Sequence, residues 1–325
     1  SWEFGLNSKW LDNRLSFDLT YYKSNTINQT FTADLSISSG YSKAYIQSGN
    51  VRNEGIEMAL GYSDKWNGFA WDSHLTLSWN KNKIIKLTEG SINPMTGEPI
   101  TKDNYDMGQL GNLDARVKLY KGGSIGDVYA THRIKRDGNG NVFVSQEGKI
   151  EIESVDEFKL GSILPKTNMG WSNNFSYKGV NLGMTLTARF GGIALSGTQS
   201  VLDQYGVSQV TANYRDTGGV PINHGYVDTE KYFDTVKGYA AYYTYSATNV
   251  RLAELSLSYT LPKEWFRDKL RMTVGLVGKN LWMIYCKAPF DPEATASTQS
   301  NYYQSYDYFM QPTTRNLGFS VKLNF

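Results

Sequence analysis

Apolar and polar residues alternate along most of this chain with a period of two. Near its end, Leu317, Phe319, Val321, Leu323 and Phe325 are separated by Gly318, Ser320, Lys322 and Asn324. Successive side chains of a strand point to opposite faces, so this spacing puts every large apolar group on one side. The pattern recurs. Val180, Leu182, Met184, Leu186, Ala188 and Phe190 alternate with Asn181, Gly183, Thr185, Thr187 and Arg189. Leu255, Leu257, Tyr259 and Leu261 do the same, as do Met272, Val274 and Leu276. So do Met169, Trp171, Phe175 and Tyr177; Trp71, Leu75, Leu77 and Trp79; Ile56, Met58, Leu60 and Tyr62. Leu15, Phe17, Leu19 and Tyr21 form a further run, and Trp2, Phe4 and Leu6 begin the series. About nine strands result, each near the ~9–11 residues that a tilted strand needs to cross a bilayer. The pattern predicts an all-β, antiparallel transmembrane β-barrel segment, apolar outside and polar inside, with Phe325 as the aromatic terminus of its last strand.

The connections alternate in length. Leu11 to Asn13, Ser63 to Ala70, Lys178-Gly179 and Pro262 to Lys269 are short. Ile27 to Ala44, Lys86 to Lys166, Gly191 to Thr248 and Trp282 to Thr313 are longer. Bacterial barrels have short periplasmic turns and long extracellular loops, so the alternation orients every strand without conflict. The first strand then runs toward the periplasm, and we expect the chain to be the back part of a larger barrel. Strands left unpaired in lipid would cost several kcal/mol per bare backbone group. Tyr21, Trp66, Trp71, Tyr177 and Trp265 are expected near the short turns, as an interfacial girdle.

Composition changes this picture little. The chain is 14% aromatic with 23 Tyr, only 40% hydrophobic, and carries a net charge of +2. That charge provides no nucleic-acid footprint. No apolar run is long enough for a transmembrane helix. Cys286 is alone, so no internal disulfide and no cysteine-based metal site is expected. Ser1-Trp2-Glu3 lacks the regions of a signal peptide, so the start is expected to be missing or processed. Asp137-Gly-Asn-Gly-Asn141 begins like a calcium loop, but Val142 and Gly148 stand where glycine and glutamate are needed, and a hairpin turn is expected instead. Lys121 to Gly126 lacks the signature of a phosphate loop, and His74, His132 and His224 have no metal-ligand spacing. No catalytic residue, cofactor or metal is assigned.

Several segments together resemble one family. Tyr45 to Glu57 is similar to the N-x-x-N-x-G-x-E strand of TonB-dependent transporters. Asn249 to Pro262 resembles the R-L-x-x-x-x-L-x-Y-x-L-P segment of their SusC/RagA branch. Gly278-Lys-Asn-Leu281 matches its G-x-N-L, Asp291-Pro-Glu293 its D-P-E, and Pro165 to Tyr177 its P-K-x-x-x-G strand. The resemblance spans almost the whole chain. It implies the C-terminal part of a 22-stranded barrel over residues 1–325, without the plug domain. It also implies an outer-membrane location, TonB-driven import of oligosaccharides or peptides, and a SusD-like lipoprotein partner. Uptake by another receptor class, such as siderophore or cofactor uptake, and a secreted all-β binding module stay open as alternatives. Gly55 and Gly278 are read as sites of close approach or bending, Pro262 as a strand end, and Asn280 as a backbone hydrogen-bonding residue at a loop entry.

Two groups of residues are candidates for function. Asp18, Glu57, His74, Arg189, Glu254 and Arg271 share the lumen parity of their strands, where they would hold a plug or line a solute path. Tyr239, Tyr242, Tyr243, Tyr302, Tyr303 and Tyr306 lie in long loops. A surface over the barrel mouth, meeting partner or cargo, and simple packing of the loops are both open readings for them.

Overall fold

The computed structural model describes all residues except 35–42, 91, 93–96, 100–103, 146–148, 224, 268, 295–303 and 325. Strands β1 (Trp2–Trp10), β2 (Leu15–Asp34), β3 (Lys43–Trp66) and β4 (Phe69–Lys86) come first. The following connection holds β5 (Asn104–Gln109), β6 (Arg116–Tyr120), β7 (Asp127–Ile134) and β8 (Ile152–Ser162). After the hairpin β9 (Thr167–Tyr177) and β10 (Val180–Phe190) come β11 (Ile193–Ser196), α1 (Gly197–Gln204), α2 (Gln209–Asp216), β12 (Val220–Ile222), β13 (Gly225–Val227), α3 (Thr229–Val236) and β14 (Thr244–Ser246). Then follow β15 (Asn249–Thr260), β16 (Arg271–Cys286), β17 (Tyr306–Asp307) and β18 (Asn316–Asn324).

Nine of these strands make one sheet in the order β1-β2-β3-β4-β9-β10-β15-β16-β18. Every neighbouring pair is antiparallel. They are the nine strands expected from the alternation. Cross-strand partners share a face, so the register converts local alternation into continuous rows. Leu182 lies beside Phe175 and Leu257, Leu257 beside Leu276, and Leu276 beside Phe319. Another row runs Phe17, Leu60, Leu75, Trp171, Leu186, Leu252 and Trp282. These groups have nothing packed over them: Leu257 is 51% and Phe319 69% exposed. A one-residue slip would turn each row to the opposite side, which is why a burying medium on this face specifies the register so strongly.

The apolar face is bounded by aromatic rings. At the short-turn end, Trp66 pairs with Phe69 and Phe69 with Tyr177, the Trp66 and Phe69 rings 4.9 Å apart. At the long-loop end, Phe4, Tyr21, Ile56 and Trp79 form one row. Tyr21 therefore belongs to the opposite band from the one expected: β2 climbs away from its turn, and the ring packs on Trp2 at 6.0 Å. Trp79 is ten residue steps along β4 from Phe69. At ~3.3 Å per residue and a tilt of about 40°, they span roughly 25 Å, the height of a barrel's apolar band.

Ser73 and Asn173 interrupt the apolar rows and lie directly opposite each other. Each receives an indole N–H. Trp71 Nε1 donates to Asn173 Oδ1 at 3.2 Å, and Trp171 Nε1 donates to Ser73 Oγ at 3.0 Å. Two tryptophans thus satisfy two side-chain oxygens that would otherwise face hydrocarbon, while Asn173 Nδ2 is buried without a hydrogen-bond partner.

The short turns follow from their residues. Asn67 and Gly68 have φ of 49° and 80°, Lys178 and Gly179 of 47° and 86°. Two successive positive φ values make the type I′ turn, whose twist matches a two-residue hairpin. The strands themselves exceed the expected length, β2, β3 and β4 reaching 20, 24 and 18 residues. Gly55 in β3 permits a close approach. A Cβ there would overlap the Trp79 carbonyl oxygen and the Tyr22 ring.

The described residues of the connections at 87–166, 191–248 and 287–315 fold into a compact layer. Leu113, Val117, Val128, Leu195, Tyr243 and Tyr306 belong to one buried cluster drawn from all three. Helices α1, α2 and α3 were not expected from the period-two pattern. Each has its own N-cap: Ser196, Ser208 and Asp228 accept the N–H of Gln199, Thr211 and Lys231. Such caps satisfy otherwise orphaned donors of a first turn. The Asp137 turn is a hairpin, as expected, with Asp137 Oδ1 accepting N–H from Asn139 and Asn141.

Two substitutions test this architecture. Leu186→Arg places a charge in the middle of the apolar band and should cost about 2–4 kcal/mol of folding free energy in a bilayer. Urea unfolding in vesicles reads the loss, and a bilayer-depth quencher should reach a fluorophore at 186. Unchanged stability together with no quenching would remove the lipid-facing assignment. Gly55→Ala should destabilise by about 1–3 kcal/mol through overpacking. Parental unfolding midpoints for this variant would show that β2 and β4 do not press on β3 as described.

Candidate functional site

The polar face of the sheet and the loop layer at one of its ends are the two places where polar side chains converge. On the sheet, the register aligns Lys9, Ser16, Gly61, His74, Ser172, Thr185, Glu254 and Lys279 in one row. A second row contains Glu57, Ser78, Asn168, Arg189 and Asn249. Asp18 lies in the row between them, opposite Asn7, whose amide donates to its carboxylate at 2.9 Å. Arg271 sits at the short-turn end of β16 and pairs with Asn324. Four of these groups have charged neighbours on this face. His74 Nε2 is 3.0 Å from Asp72, and Lys279 Nζ is 3.8 Å from Glu254. Arg189 is 3.8 Å from Glu293.

The segments singled out in sequence meet in space. Asn53 Oδ1 accepts from Asn82 Nδ2 at 2.9 Å and from Asn80 Nδ2 at 3.5 Å. Tyr22, lying over Gly55, donates its hydroxyl to Asn80 Oδ1 at 3.2 Å. Asn82 Oδ1 in turn accepts from Ser124 Oγ and from the Ile125 N–H. A chain of side-chain amides therefore runs from the barrel strands to the loop layer and fixes residues 124–125 above β4. Gly278 to Leu281 form a β-bulge. The β15–β16 register shifts there, Asn280 has φ 52°, and its Nδ2 donates to the Thr314 carbonyl at 3.2 Å. A Cβ on Gly278 would overlap Leu281. The bulge sits where the pairing of β16 with β18 stops while β16 continues along β15 to Cys286, and Asn280 ties it there to the residues just before β18.

The strongest electrostatic contact joins Arg251 to residues 291–293. Its guanidinium donates in bidentate fashion to Asp291, Nη1 to Oδ2 at 3.0 Å and Nη2 to Oδ1 at 2.7 Å. Nη2 also lies 3.2 Å from Glu293 Oε1, and both the Arg251 and Asp291 side chains are nearly buried. Burial alone would raise the Asp291 carboxyl, but the Arg251 hydrogen bond and the Glu293 N–H hold it below the usual carboxylate range. Arg189 completes the cluster through Glu293. Sequence reading placed Arg189 on the polar face but found no role for Arg251, because its partner lies 40 residues away across a loop.

The loop tyrosines divide. Tyr243 and Tyr306 are not surface groups: both are buried, at 0% and 2% exposure, inside the cluster that joins the three connections. The Tyr306 hydroxyl donates to Asn112 Oδ1 at 2.6 Å and accepts the Asn112 N–H at 3.1 Å. Gly111 and Gly197 are side-chain-free where this ring passes; a Cβ on either would overlap it. Tyr242 is half-buried and stacks edge-on to Tyr232, Phe233 and Tyr243. Burial pushes the phenols of Tyr242 and Tyr243 far above their ordinary value. These three are packing groups of the loop layer, the plainer of the two readings. Tyr239 is half-buried, with its ring 5.3 Å from His132. Tyr302, Tyr303 and the barrel-terminal Phe325 lie outside the described residues.

No family model matches the chain. It is 26% identical to TonB-dependent receptor P3 of Formosa agariphila over 339 residues, covering 99% of this chain and 34% of the relative. It is 21% identical to TonB-dependent receptor SusC of Bacteroides thetaiotaomicron, over 93% of this chain and 30% of that protein. Its fold matches the RagAB peptide importer in an open-open state, with a TM-score of 0.70, 18% identity, and coverage of 99% of this chain and 34% of that one. The closed-closed state gives 0.69 at 17% identity. The chain is thus similar to the TonB-dependent receptors, SusC among them, and is an outer-membrane β-barrel segment about a third as long as the curated relatives it matches.

Proposed function

We propose that this chain supplies part of the wall and of the extracellular loop layer of a TonB-dependent importer of oligosaccharides or peptides. The observation that carries the reading is a nine-stranded antiparallel sheet with one uncovered apolar face, in a sequence similar to SusC over nearly its whole length. A secreted binding module would leave that apolar band in water, where a patch of such size drives association. Strands β1 and β18 are the two sheet edges and do not pair with each other among the described residues. In lipid such edges require partners. We read them as continuing into further strands of a barrel of about 22, which normally encloses a plug.

In this reading the polar residues Asp18, Glu57, His74, Arg189, Glu254 and Arg271 face the lumen and hold the plug by hydrogen bonds and ion pairs. The loop layer meets a SusD-like surface lipoprotein, and TonB acts through a region outside this chain. No catalytic chemistry is assigned to it. The Arg251–Asp291 clasp sets the position of the last long loop relative to the barrel wall, and so the shape of the mouth.

Two outcomes follow. In cells, uptake through the full-length receptor should collapse when TonB is removed, and the receptor should co-purify with a surface lipoprotein. Uptake that persists without TonB would sink the importer reading. Arg251→Met leaves Asp291 buried without its partner, which should cost about 3–5 kcal/mol locally and loosen the loop around 287–294. Protease nicking there should rise while the barrel stays heat-resistant. The Asp291 carboxyl titrates below its unfolded value, so the clasp is complete above that value and weakens only as pH falls through the depressed one. Nicking in the parent should therefore increase only in strong acid, and Asp291→Asn should remove that acid response.

A further inference from the structure

The outward face of the sheet changes character just beyond the long-loop aromatic row of Phe4, Tyr21, Ile56 and Trp79. The next outward row pairs Lys23 with Glu54 and Glu54 with Lys81. The one beyond it pairs Asn25 with Arg52 and Arg52 with Lys83. The opposite face at this height is already covered, since Val51 and Ile84 are buried with Leu119 of the loop layer. Lys81 and Lys83 alternate with Asn82 and Ile84, so they point away from that core, and both are exposed. At ~3.3 Å per residue and a tilt of about 40°, the two rows stand roughly 5 and 10 Å beyond the aromatic row. The headgroup layer occupies about 5–8 Å on each side of the hydrocarbon. The first row lies in that layer, and the long side chains of the second reach down into it.

Four cations share these two rows with one carboxylate. Glu54 is 3.8 Å from Lys81, a long ion pair. Among the described residues, no ion pair takes up Lys23, Arg52 or Lys83. Lys23 Nζ instead stands 5.8 Å from the Trp2 ring. Arg52 is braced by a neutral group. Its Nε donates to Asn25 Oδ1 at 3.2 Å, and Asn25 Nδ2 donates to Asn50 Oδ1 at 3.0 Å. That contact positions the guanidinium and leaves its charge uncompensated. At the short-turn end of the same face, Asp64 lies opposite Trp71 and matches Arg14 at 3.1 Å. The uncompensated charge on the outward face of β2, β3 and β4 therefore sits at their long-loop end. Cations in a headgroup layer attract anionic lipid, each Lys or Arg strengthening the contact about fivefold. Lysine serves a phosphate as a point charge and arginine as a planar fork.

We propose that Lys23, Arg52, Lys81 and Lys83 form a docking surface for the phosphate of an anionic lipid in the outer leaflet. Charge selects an anion, and the adjacent apolar row selects one that carries acyl chains. Tyr21 and Trp79 lie against those chains while the four cations hold the headgroup. The surface is on the outside of the wall, separate from the polar face that meets plug and cargo.

The test titrates full-length receptor in neutral-detergent micelles with fluorescent monophosphoryl lipid A, and with the same lipid lacking its phosphate as the contrast. Lys81→Gln and Arg52→Gln should each weaken lipid A binding about fivefold, and replacing Lys23, Lys81 and Lys83 together by Gln about a hundredfold. High salt should weaken parental binding in the same direction. Lys178→Gln, in a two-residue turn at the opposite end of the sheet, should leave it unchanged. Heat-resistant migration checks that each variant is folded. If Arg52→Gln fails that check, the lysine variants carry the test alone. Equal affinity for the phosphate-free lipid overturns the phosphate assignment. Binding that survives the triple variant, or falls as much in Lys178→Gln, overturns the location. Displacement of lipid A by an equal concentration of inorganic phosphate overturns the lipid as the source. Loss of a co-purifying lipoprotein from the triple variant, with lipid A binding retained, assigns this face to a protein partner and overturns the proposal.

Discussion

A backbone that crosses lipid must satisfy its own hydrogen bonds, and every other feature of this molecule is arranged around that constraint. Antiparallel pairing with adjacent hairpin strands meets it locally, through two-residue turns such as Asn67-Gly68 and Lys178-Gly179. The same pairing forces residues into rows. Once Leu182, Leu257, Leu276 and Phe319 stand side by side, the sheet has one face that only an apolar medium can cover. Polar exceptions such as Ser73 and Asn173 are held in that face by Trp71 and Trp171, each of which donates one hydrogen bond to a side-chain oxygen there. The aromatic bands at both ends then limit how far the sheet extends into lipid.

Above the band the constraint relaxes, and the chain behaves as a water-exposed protein. The long connections assemble a core of their own, with capped helices and a small sheet, and they are coupled to the barrel at specific points. The amide chain Tyr22–Asn80–Asn53–Asn82 fixes residues 124–125. The Asn280 bulge and the Arg251–Asp291 clasp fix the last connection. Segments that resemble family motifs are therefore joints between wall and loops. Their residues are small where backbones approach and polar where two connections must be held, which is a positioning chemistry and not a catalytic one.

Much of this was legible from residues alone. A period of two is a local property, so the number of strands, their lipid-facing residues and the short turns could be read one hairpin at a time. Gly55, Gly278 and Asn280 were legible as special positions because each residue type has a restricted set of uses. What a local pattern leaves open is pairing over distance. Arg251 finds Asp291 and Arg189 approaches Glu293 only once the last connection folds back onto β15 and β10, and Tyr306 finds Asn112 only once two connections have packed together. Tyr243 and Tyr306 show the limit most clearly. A tyrosine in a polar loop suits a surface as well as a small core, and only the assembled layer, which encloses both rings, decided for packing. The strand face was determined by sequence because lipid rewards every second residue independently; the site was decided by tertiary structure because its contacts depend on which loops become neighbours.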